Sequence, residues 1–409
     1  MDIIIRQARL MDGRVVDIGM QDGRIVALAE TLPQLATTEI QAEQRLVLPA
    51  FVNGQLHACK VFWRRKLVTL PEAVQTLPRF QAAHFVKQTY TVADVAARVR
   101  EVIRLAILNG TCALRLFADV DEDAGLTALQ GLLQIKQEFA HLLTIQVVAF
   151  PQAGVLNAQT QGFMQEALHL GADVVGGIPW IEPTLAAQQA HTRMCFDLAQ
   201  QFDKDLHFVC DDALDPALRT LEDVARQTLE HGYQGRVCAT QCAALAVYAD
   251  DYAAAVIALV KEANITVFSN SHVSLITAEY AHEPMPRGIT RIRQLLDAGV
   301  PIACGQDDID NWYYPFGRND MLEVAHFMAH NGQFAWQGEV NRVLPMVTET
   351  PAQALGLADY GLQVGAAANL VVLDAPDWHQ ALQFQVDKLY VILRGQVVAQ
   401  TERRQTLLV

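Results

Sequence analysis

Short apolar runs alternate with amphipathic helical segments through most of this chain, and this alternation constrains the fold more than any other feature. Eight runs are predicted as strands, near residues 47–52, 113–117, 144–150, 173–178, 205–210, 236–240, 265–269 and 301–305. Helical segments fall between them, among them residues 93–108, 187–201, 217–231 and 253–263. This pattern is typical of βα units around a parallel sheet, and eight units predict a closed barrel.

The two ends of the chain have a different texture. Early β-rich runs are separated by two Asp-Gly pairs, which are a strong hairpin signal between apolar runs. Strand-like runs return at residues 369–373 and 390–398. We therefore expect an α/β protein, a (β/α)8 TIM-like barrel over residues 49–361 with a small β-sandwich domain formed from residues 1–48 and 362–409.

With 409 residues, the chain has room for a barrel of about 250–300 residues and a smaller companion. Its formal net charge of −14 argues against a nucleic-acid-binding surface, which needs clustered Lys and Arg. The first residues lack the features of a signal peptide, and no apolar run approaches the length of a membrane span. We expect a cytoplasmic protein with reduced cysteines and with neither nucleic-acid nor membrane partners.

In a (β/α)8 barrel, catalytic groups project from the carboxyl ends of the strands. We therefore expect a functional site among the residues predicted at these ends, which are Gln55, His57, Arg115, Asp119, Gln152, Trp180, Val209, Cys210, Asp211, Asp212, Thr240, Gln241, Cys242, Asn270, Ser271, His272, Gln306, Asp307 and Asp308.

Several sequence blocks make the chain similar to the cytosine deaminase branch of the amidohydrolase superfamily, which includes isopropylammelide amidohydrolases. The resemblance covers nearly the whole chain and implies a (β/α)8 barrel with a small β-domain built from both termini. It also implies a hydrolase of C–N bonds in small nitrogen heterocycles and a homo-oligomer. The blocks lie at residues 48–52, 146–154, 171–179, 287–291, 307–308 and 312–317.

The resemblance also locates the family's metal site. His57 and Asp307 match two of its ligands, whereas Gln55, Val209 and Gln241 stand where the family has histidines. Catalytic zinc needs about three His, Cys or carboxylate ligands and an open position for water. Valine cannot coordinate, and amide oxygens suit Mg²⁺ or Ca²⁺ better than zinc or iron. We expect no tightly bound cofactor, with residual divalent metal binding conceivable at His57 and Asp307.

The same resemblance implies roles for other residues of the site. Gln152 matches a glutamine that hydrogen-bonds the ring edge, and Asp308 and Tyr313 lie where the branch shapes its ring pocket. Trp180 replaces a histidine of the branch and is assigned to the same substrate-binding group. Asp212 matches the acid/base carboxylate of the branch and, with Asp307, is the catalytic candidate.

Each of these residues also has an alternative role in the fold. His57 could be a hydrogen-bonded histidine of a polar barrel mouth, Asp307 a structural carboxylate, and Asp212 a cap of the following helix. Lys60 could lie in solvent or could fold inward as a cation opposite Asp307. The cysteines beside the former ligand positions could be thiolate ligands or nucleophiles, or small buried apolar residues; they are Cys59, Cys210, Cys242 and Cys304.

The resemblance leaves two functional hypotheses open. In the first, the protein hydrolyses a C–N bond of a small N-heterocycle, by deamination or amide cleavage, with weak or no zinc or iron binding. Asp212 or Asp307 would then move the protons, and a carboxylate base supplies only about 10²- to 10⁴-fold acceleration. In the second, the protein has lost the family reaction and is a non-catalytic ligand-binding or partner subunit. The fold alone cannot separate the two.

Overall fold

The structure is a computed structural model that describes residues 1–277, 287–336 and 338–408. Within these ranges, no helix is both long and apolar enough to cross a bilayer. The strands are β1 (Ile3–Arg9), β2 (Val15–Gln21), β3 (Arg24–Ala29), β4 (Thr38–Gln41), β5 (Val47–Pro49), β6 (Phe51–Leu56), β7 (Thr111–Asp119), β8 (Thr144–Phe150), β9 (Val174–Gly177), β10 (Asp205–Cys210), β11 (Val237–Gln241), β12 (Thr266–Phe268), β13 (Ile302–Ala303), β14 (Leu370–Leu373), β15 (Lys388–Leu393) and β16 (Gln396–Gln400). The α-helices are α1 (Trp63–Leu67), α2 (Glu72–Gln75), α3 (Arg79–Gln88), α4 (Val92–Leu108), α5 (Thr127–Glu138), α6 (Ala158–His169), α7 (Leu185–Phe202), α8 (Thr220–Glu230), α9 (Asp250–Glu262), α10 (Ser271–Thr277), α11 (Ile292–Ala298), α12 (Met321–Asn331), α13 (Glu349–Ala354) and α14 (Trp378–Phe384).

Strands β6 to β13 form an eight-stranded parallel sheet in sequence order, with helices between successive strands. The sheet closes into a barrel because Leu56, at the end of β6, pairs with Asp307, which follows β13. Two backbone hydrogen bonds join these edges. The His57 N–H group donates to Asp307 O at 2.7 Å, and the Asp307 N–H group donates to Gln55 O at 2.9 Å. The predicted (β/α)8 barrel is confirmed.

The small domain consists of two four-stranded sheets built from both ends of the chain. One has the strand order β3-β2-β1-β4, and the other has the order β16-β15-β14-β5. Their apolar faces share one buried cluster, to which Ile5 contributes from the first sheet and Ile392 from the second. The predicted β-domain from both termini is confirmed, whereas its predicted limits at 48/49 and 361/362 stay predictions.

One predicted strand is wrong in its first half. The apolar run at 47–52 is predicted as the first barrel strand, but Val47–Pro49 is β5 of the small domain, where Leu48 pairs with Val371. The barrel strand β6 begins only at Phe51. The chain changes sheets just after Pro49, the last residue of β5.

Large side chains fill the barrel interior. Phe268 on β12 is fully buried, and its ring centroid lies 4.9 Å from that of His207 on β10. Gly54 on β6 approaches this ring so closely that a Cβ atom at position 54 would lie 2.1 Å from Phe268 Cε1. A glycine is therefore required here by the close approach of strand and ring.

We predict that Gly54→Ala lowers the free energy of unfolding by about 1–3 kcal/mol, because overpacking forces a shift of the Phe268 ring or the β6 backbone. Urea denaturation measures the effect. Gly162→Ala is the matched control, because Gly162 lies on the exposed side of α6 with no neighbouring atom in the way. This control should be neutral or stabilising by up to about 1 kcal/mol. A Gly54→Ala protein as stable as the wild type would contradict the packing described above.

Candidate functional site

The candidate site lies at the carboxyl ends of the barrel strands. Barrel closure brings the end of β6 beside the segment after β13, so that His57 Nε2 lies 3.6 Å from Asp307 Oδ1. Both side chains are buried. Asp307 and Gln241 adopt left-handed backbone conformations, with φ of +64° and +65°. Such conformations are uncommon for residues other than glycine and occur often at functional sites.

Glutamine side chains bind both oxygens of the Asp307 carboxylate. Gln55 Nε2 donates to Oδ1 at 3.0 Å, and Gln241 Nε2 donates to Oδ2 at 2.6 Å. Gln241 Oε1 accepts a further hydrogen bond from Ser274 Oγ at 3.2 Å. We call Gln55, Gln241 and Asp307 the amide clamp. All three residues stand at positions where the resemblance implies metal ligands, and here they are hydrogen-bonded to one another.

The hydrogen-bond network determines which end of the Gln55 amide faces Asp307. The Gly305 N–H group can only donate, and it donates to Asn270 Oδ1 at 2.8 Å. Asn270 Nδ2 therefore donates to Gln55 Oε1, at 2.8 Å, and the Thr240 hydroxyl donates to the same oxygen. Since its oxygen is used in this way, Gln55 turns its NH₂ group toward Asp307. The site presents an N–H donor, not an oxygen ligand, at this position.

His57 is neutral and has one tautomer. Lys60 Nζ lies 3.3 Å from His57 Nδ1, and an ammonium group can only donate, so Nδ1 is the acceptor and Nε2 carries the proton. Nε2 is the atom that faces Asp307. Burial and the positive charge of Lys60 hold the pKa of His57 well below its ordinary range. The imidazole therefore points an N–H group, not a lone pair, at the carboxylate.

Lys60 folds inward, but its charge partner is Asp119 and not Asp307 as hypothesised. Lys60 Nζ lies 3.2 Å from Asp119 Oδ1, and it also donates to Gln152 Oε1 and to His57. The ammonium thus makes one ion pair and two hydrogen bonds. Burial lowers the pKa of Lys60, but the negative charge of Asp119, together with Cys59, Tyr313 and Asp308, more than offsets this, so that the pKa is raised.

A second buried lysine completes this charge network. Lys87 on α3 lies 3.3 Å from Asp119 Oδ2 and 2.5 Å from Asp121 Oδ2. Burial raises the pKa of Asp119, but Lys60 and Lys87 more than offset this and lower it below its ordinary value. Two lysines and two aspartates thus balance one another beside the barrel mouth, and the network leaves no net cation for the amide clamp.

Val209, the third replaced ligand position, belongs to an apolar wall. It lies in a buried cluster with Phe117 and Phe150, against which Trp180 packs. The ring centroid of His57 lies 5.1 Å from that of Phe117 and 5.2 Å from that of Phe150. On this side, the mouth therefore offers hydrocarbon and aromatic surface instead of metal ligands.

The residues present do not fit a catalytic zinc or iron ion. One imidazole and one carboxylate remain, which is fewer than the roughly three ligands that such an ion needs, and both oxygens of the carboxylate already accept amide N–H groups. Across the described ranges, no three His, Cys, Asp or Glu side chains are arranged to hold a metal ion. Weak binding of a divalent metal at His57 and Asp307 stays a prediction.

The side chains predicted to bind a ring lie around the same mouth. Gln152 Oε1 accepts from Lys60, and the Lys60 ammonium lies 5.8 Å from the ring centroid of Tyr313. Asp308 is buried, and its Oδ1 accepts a 2.5 Å hydrogen bond from the Asn311 amide. Trp180 lies against the apolar wall, and its buried Nε1 has no hydrogen-bond partner in the described ranges. The structure thus places Gln152 and Tyr313 at Lys60, and Trp180 beside Val209.

The carboxyl groups of Asp212, Asp307 and Asp308 have raised pKa values. Burial and repulsion from Asp308 raise the pKa of Asp212 to about 7, and burial raises that of Asp308 to about 6. Burial, together with Asp308 and Asp212, raises the pKa of Asp307 well above its ordinary range. Asp212 is only half-buried. The alternative that Asp212 caps the following helix is wrong, because the Asp211 carboxylate accepts from the Thr220 and Leu221 N–H groups at the start of α8.

The cysteines near the former ligand positions are buried and free. Burial raises the pKa of the Cys59 thiol to about 12 and raises those of Cys210, Cys242 and Cys304 above their ordinary range. Thiolates are therefore disfavoured at all four positions, and these cysteines pack as small apolar residues.

Sequence reasoning missed the roles of several residues at this site. Asp119 and Asn270 appear among the predicted strand-end residues, but without their function as charge partner and amide donor. A buried carboxylate at a strand end needs a cation or several donors, and this is a signal that could have led to Lys60. Lys87 lies on a separate helix, and the sequence carries no signal that links it to Asp119.

Comparison with known proteins confirms the resemblance. A model described as the amidohydrolase family matches residues 38–399. N-isopropylammelide isopropyl amidohydrolase of Pseudomonas sp. (strain ADP) is 28% identical over 98% of both chains. The crystal structure of 5-methylcytosine deaminase from Klebsiella pneumoniae liganded with 5-fluorocytosine is 31% identical, with a TM-score of 0.91 over 99% of both chains. N-isopropylammelide isopropylaminohydrolase from Burkholderia multivorans is 26% identical, with a TM-score of 0.85 over 98% of this chain and 99% of that one. The chain belongs to the amidohydrolase family.

Proposed function

We propose that this protein binds a small planar nitrogen heterocycle at the barrel mouth and has lost the zinc- or iron-dependent C–N hydrolysis implied by its family resemblance. The observation that carries the proposal is the amide clamp, in which Gln55 and Gln241 both turn NH₂ groups toward the Asp307 carboxylate. Hydrogen bonds from neutral amides satisfy this carboxylate without a cation.

Turning the Gln55 amide around to offer its oxygen would be costly. Its NH₂ group would then face the Asn270 amide and the Thr240 hydroxyl, which both donate to the present oxygen. At least one buried donor would lose its acceptor, at a cost of about 1–3 kcal/mol. An amide oxygen gained in this way is still a poor ligand for zinc or iron. The network therefore opposes metal entry as well as failing to supply ligands.

The side chains around the clamp support the proposal that the ligand is a small heterocycle. Gln152 Oε1 is held by Lys60, which leaves the Gln152 NH₂ group to donate to a ring acceptor. Trp180 offers an apolar face and an unpartnered indole N–H within the described structure. Aromatic surface combined with a few oriented polar groups is typical of small-molecule sites. The family relative liganded with 5-fluorocytosine, at 31% identity, supports a ligand of this size and shape.

A second candidate function is hydrolysis without a metal. The half-buried Asp212, with a pKa of about 7, favours it because a general base works best when its pKa is near the operating pH. Asp212 would take a proton from water as the oxygen adds to the ring carbon. It would return this proton to the leaving nitrogen as the C–N bond breaks. General base catalysis supplies only about 10²- to 10⁴-fold, so an easily hydrolysed ring would be needed.

We predict that the purified protein contains zinc, iron, manganese and nickel far below one equivalent, because the amide clamp supplies too few ligands. Elemental analysis measures this. The combined variant Gln55→His, Val209→His, Gln241→His and Asp212→Glu should take up about one equivalent of zinc. Asp212→Glu alone, which restores none of the three replaced ligands, is the control and should take up no more zinc than the wild type. One equivalent of firmly held metal in the wild type would overturn the proposal.

We predict that at least one of cytosine, 5-methylcytosine, 5-fluorocytosine, isocytosine, creatinine and ammelide raises the melting temperature without releasing ammonia. A ligand at 100 times its Kd stabilises the folded state by about 2.7 kcal/mol. Gln152→Ala should weaken binding about tenfold through the lost donor. Gln137→Ala, an exposed residue of α5, is the control and should bind like the wild type. Metal-free ammonia release at many turnovers would favour the second candidate instead.

We predict a pH signature for Asp212. Since its pKa is raised to about 7 in the folded state, ionisation destabilises the fold as the pH rises from the unfolded value of 3.8 through 7. Asp212→Asn should therefore have a higher melting temperature than the wild type at pH 8 and no advantage at pH 4. Any metal-free hydrolysis should rise through pH 7 and vanish in this variant. Asp215→Asn, which changes an exposed carboxyl group of the same loop, is the control and should change neither property. If Asp212→Asn and the wild type had the same pH dependence of melting temperature and of hydrolysis, Asp212 would be neither the destabilising buried carboxyl group nor the general base.

A further inference from the structure

Two pocket side chains lie on separate loops, and a buried pair ties both loops together. Gln152 lies in the loop after β8, and Trp180 lies in the short 3-10 turn Pro179–Ile181 after β9. The pair consists of Glu182 and His191, both of which are buried. We propose that Glu182 and His191 are positioning residues that hold Gln152 and Trp180 in one arrangement for ligand binding. This inference rests on the proposed function.

Glu182 holds the loop after β8 through one carboxylate oxygen. Its Oε1 accepts from the Val155 N–H group at 2.8 Å and faces His191 Nδ1 at 2.9 Å. The loop comes so close that a Cβ atom at Gly154 would lie 2.7 Å from the same oxygen, and Gly154 has a φ of +86°. The chain therefore turns against the carboxylate only two residues after Gln152, and a glycine is needed there on both counts.

His191 holds the turn after β9. Its Nε2 accepts from the Ile178 N–H group at 3.0 Å, so the ring proton lies on Nδ1 and is donated to Glu182. Ile178 immediately precedes the 3-10 turn that carries Trp180. His191, a residue of α7 with a single tautomer, thus links the Glu182 carboxylate to the backbone just before Trp180.

The links form a continuous path between the two loops. The path runs from the Val155 N–H group to Glu182 Oε1, across His191, and to the Ile178 N–H group, and every step is a hydrogen bond of 2.8–3.0 Å. Lys60 donates a further hydrogen bond to the Gln152 side chain. A loop that is ordered before the ligand arrives costs less ordering entropy on binding. The pair therefore contributes to affinity without touching the ligand.

The test compares Glu182→Ala with Glu182→Gln in ligand titrations, using 5-fluorocytosine and the other heterocycles named above as probes. Glu182→Ala should raise the Kd about tenfold, because the Val155 and His191 donors lose their acceptor. Glu182→Gln keeps an oxygen that can accept from both donors, and it should stay within about threefold of the wild type. Equal Kd values for Glu182→Ala and the wild type would overturn the inference, as would a Glu182→Gln protein that binds as poorly as Glu182→Ala.

Asp173 provides a matched structural control at the opposite end of the same strands. Its carboxylate accepts from the Val147 N–H group at 2.7 Å and from Lys136 at 2.5 Å, so it ties neighbouring segments in the same manner. Asp173→Ala should lower stability but leave the Kd unchanged, since the site lies at the carboxyl ends of the strands. If Asp173→Ala weakened binding as much as Glu182→Ala, general destabilisation would explain both effects and the inference would fall.

Hydrogen exchange of the wild-type protein keeps the inference testable if Glu182→Ala does not fold. Without ligand, the Val155 and Ile178 amides should exchange at least about 100-fold more slowly than unstructured amides, since both are held by the pair. Free exchange at either amide would contradict the inference. A wild type that binds none of the heterocycles would defeat the proposed function and this inference together. If the wild type binds a heterocycle but Glu182→Ala binds it with the same Kd, only this inference would be defeated.

Discussion

The hydrogen bonds from Gln55 and Gln241 to the Asp307 carboxylate determine which chemistry the barrel mouth supports. A buried carboxylate needs either a cation or enough donors to replace its water. Here the donors are neutral amides, which satisfy the oxygens but contribute no positive charge. The pKa of Asp307 is therefore raised by burial and by the neighbouring Asp308 and Asp212. Among the described side chains, hydrogen bonds from two amides thus satisfy this carboxylate.

The charged groups beside the clamp also satisfy one another inside the protein. Lys60 forms an ion pair with Asp119 and donates to Gln152 and His57, and burial together with its charge keeps the imidazole neutral with its proton facing Asp307. The lone pairs of the Asp307 oxygens and of His57 Nδ1, which could otherwise bind a metal, thus accept hydrogen bonds. What remains for a ligand is an amide donor, aromatic surface and two carboxyl groups with raised pKa values, and these groups support the proposed binding of a small ring.

Much of this arrangement was predictable from the sequence. The alternation of apolar runs and helices predicts the barrel, and the loss of histidines at Gln55, Val209 and Gln241 predicts the loss of ligands. The sequence did not predict that the run at 47–52 divides between two sheets, because both halves are equally apolar and only their pairing partners differ. It also left open the roles of Asp211 and Asp212, since adjacent residues at a strand end point in different directions.

By itself, the sequence determined the barrel, the domain built from both termini and the side chains at the ends of the barrel strands, because periodicity and strand order are local properties of the chain. Only the tertiary structure decided what those side chains do. The direction of the Gln55 amide depends on Gly305 and Asn270, and the partner of Lys60 is Asp119 instead of Asp307. Hydrogen bonds and ion pairs are set by distances of a few ångströms, and only the folded barrel brings these distant segments of the chain that close.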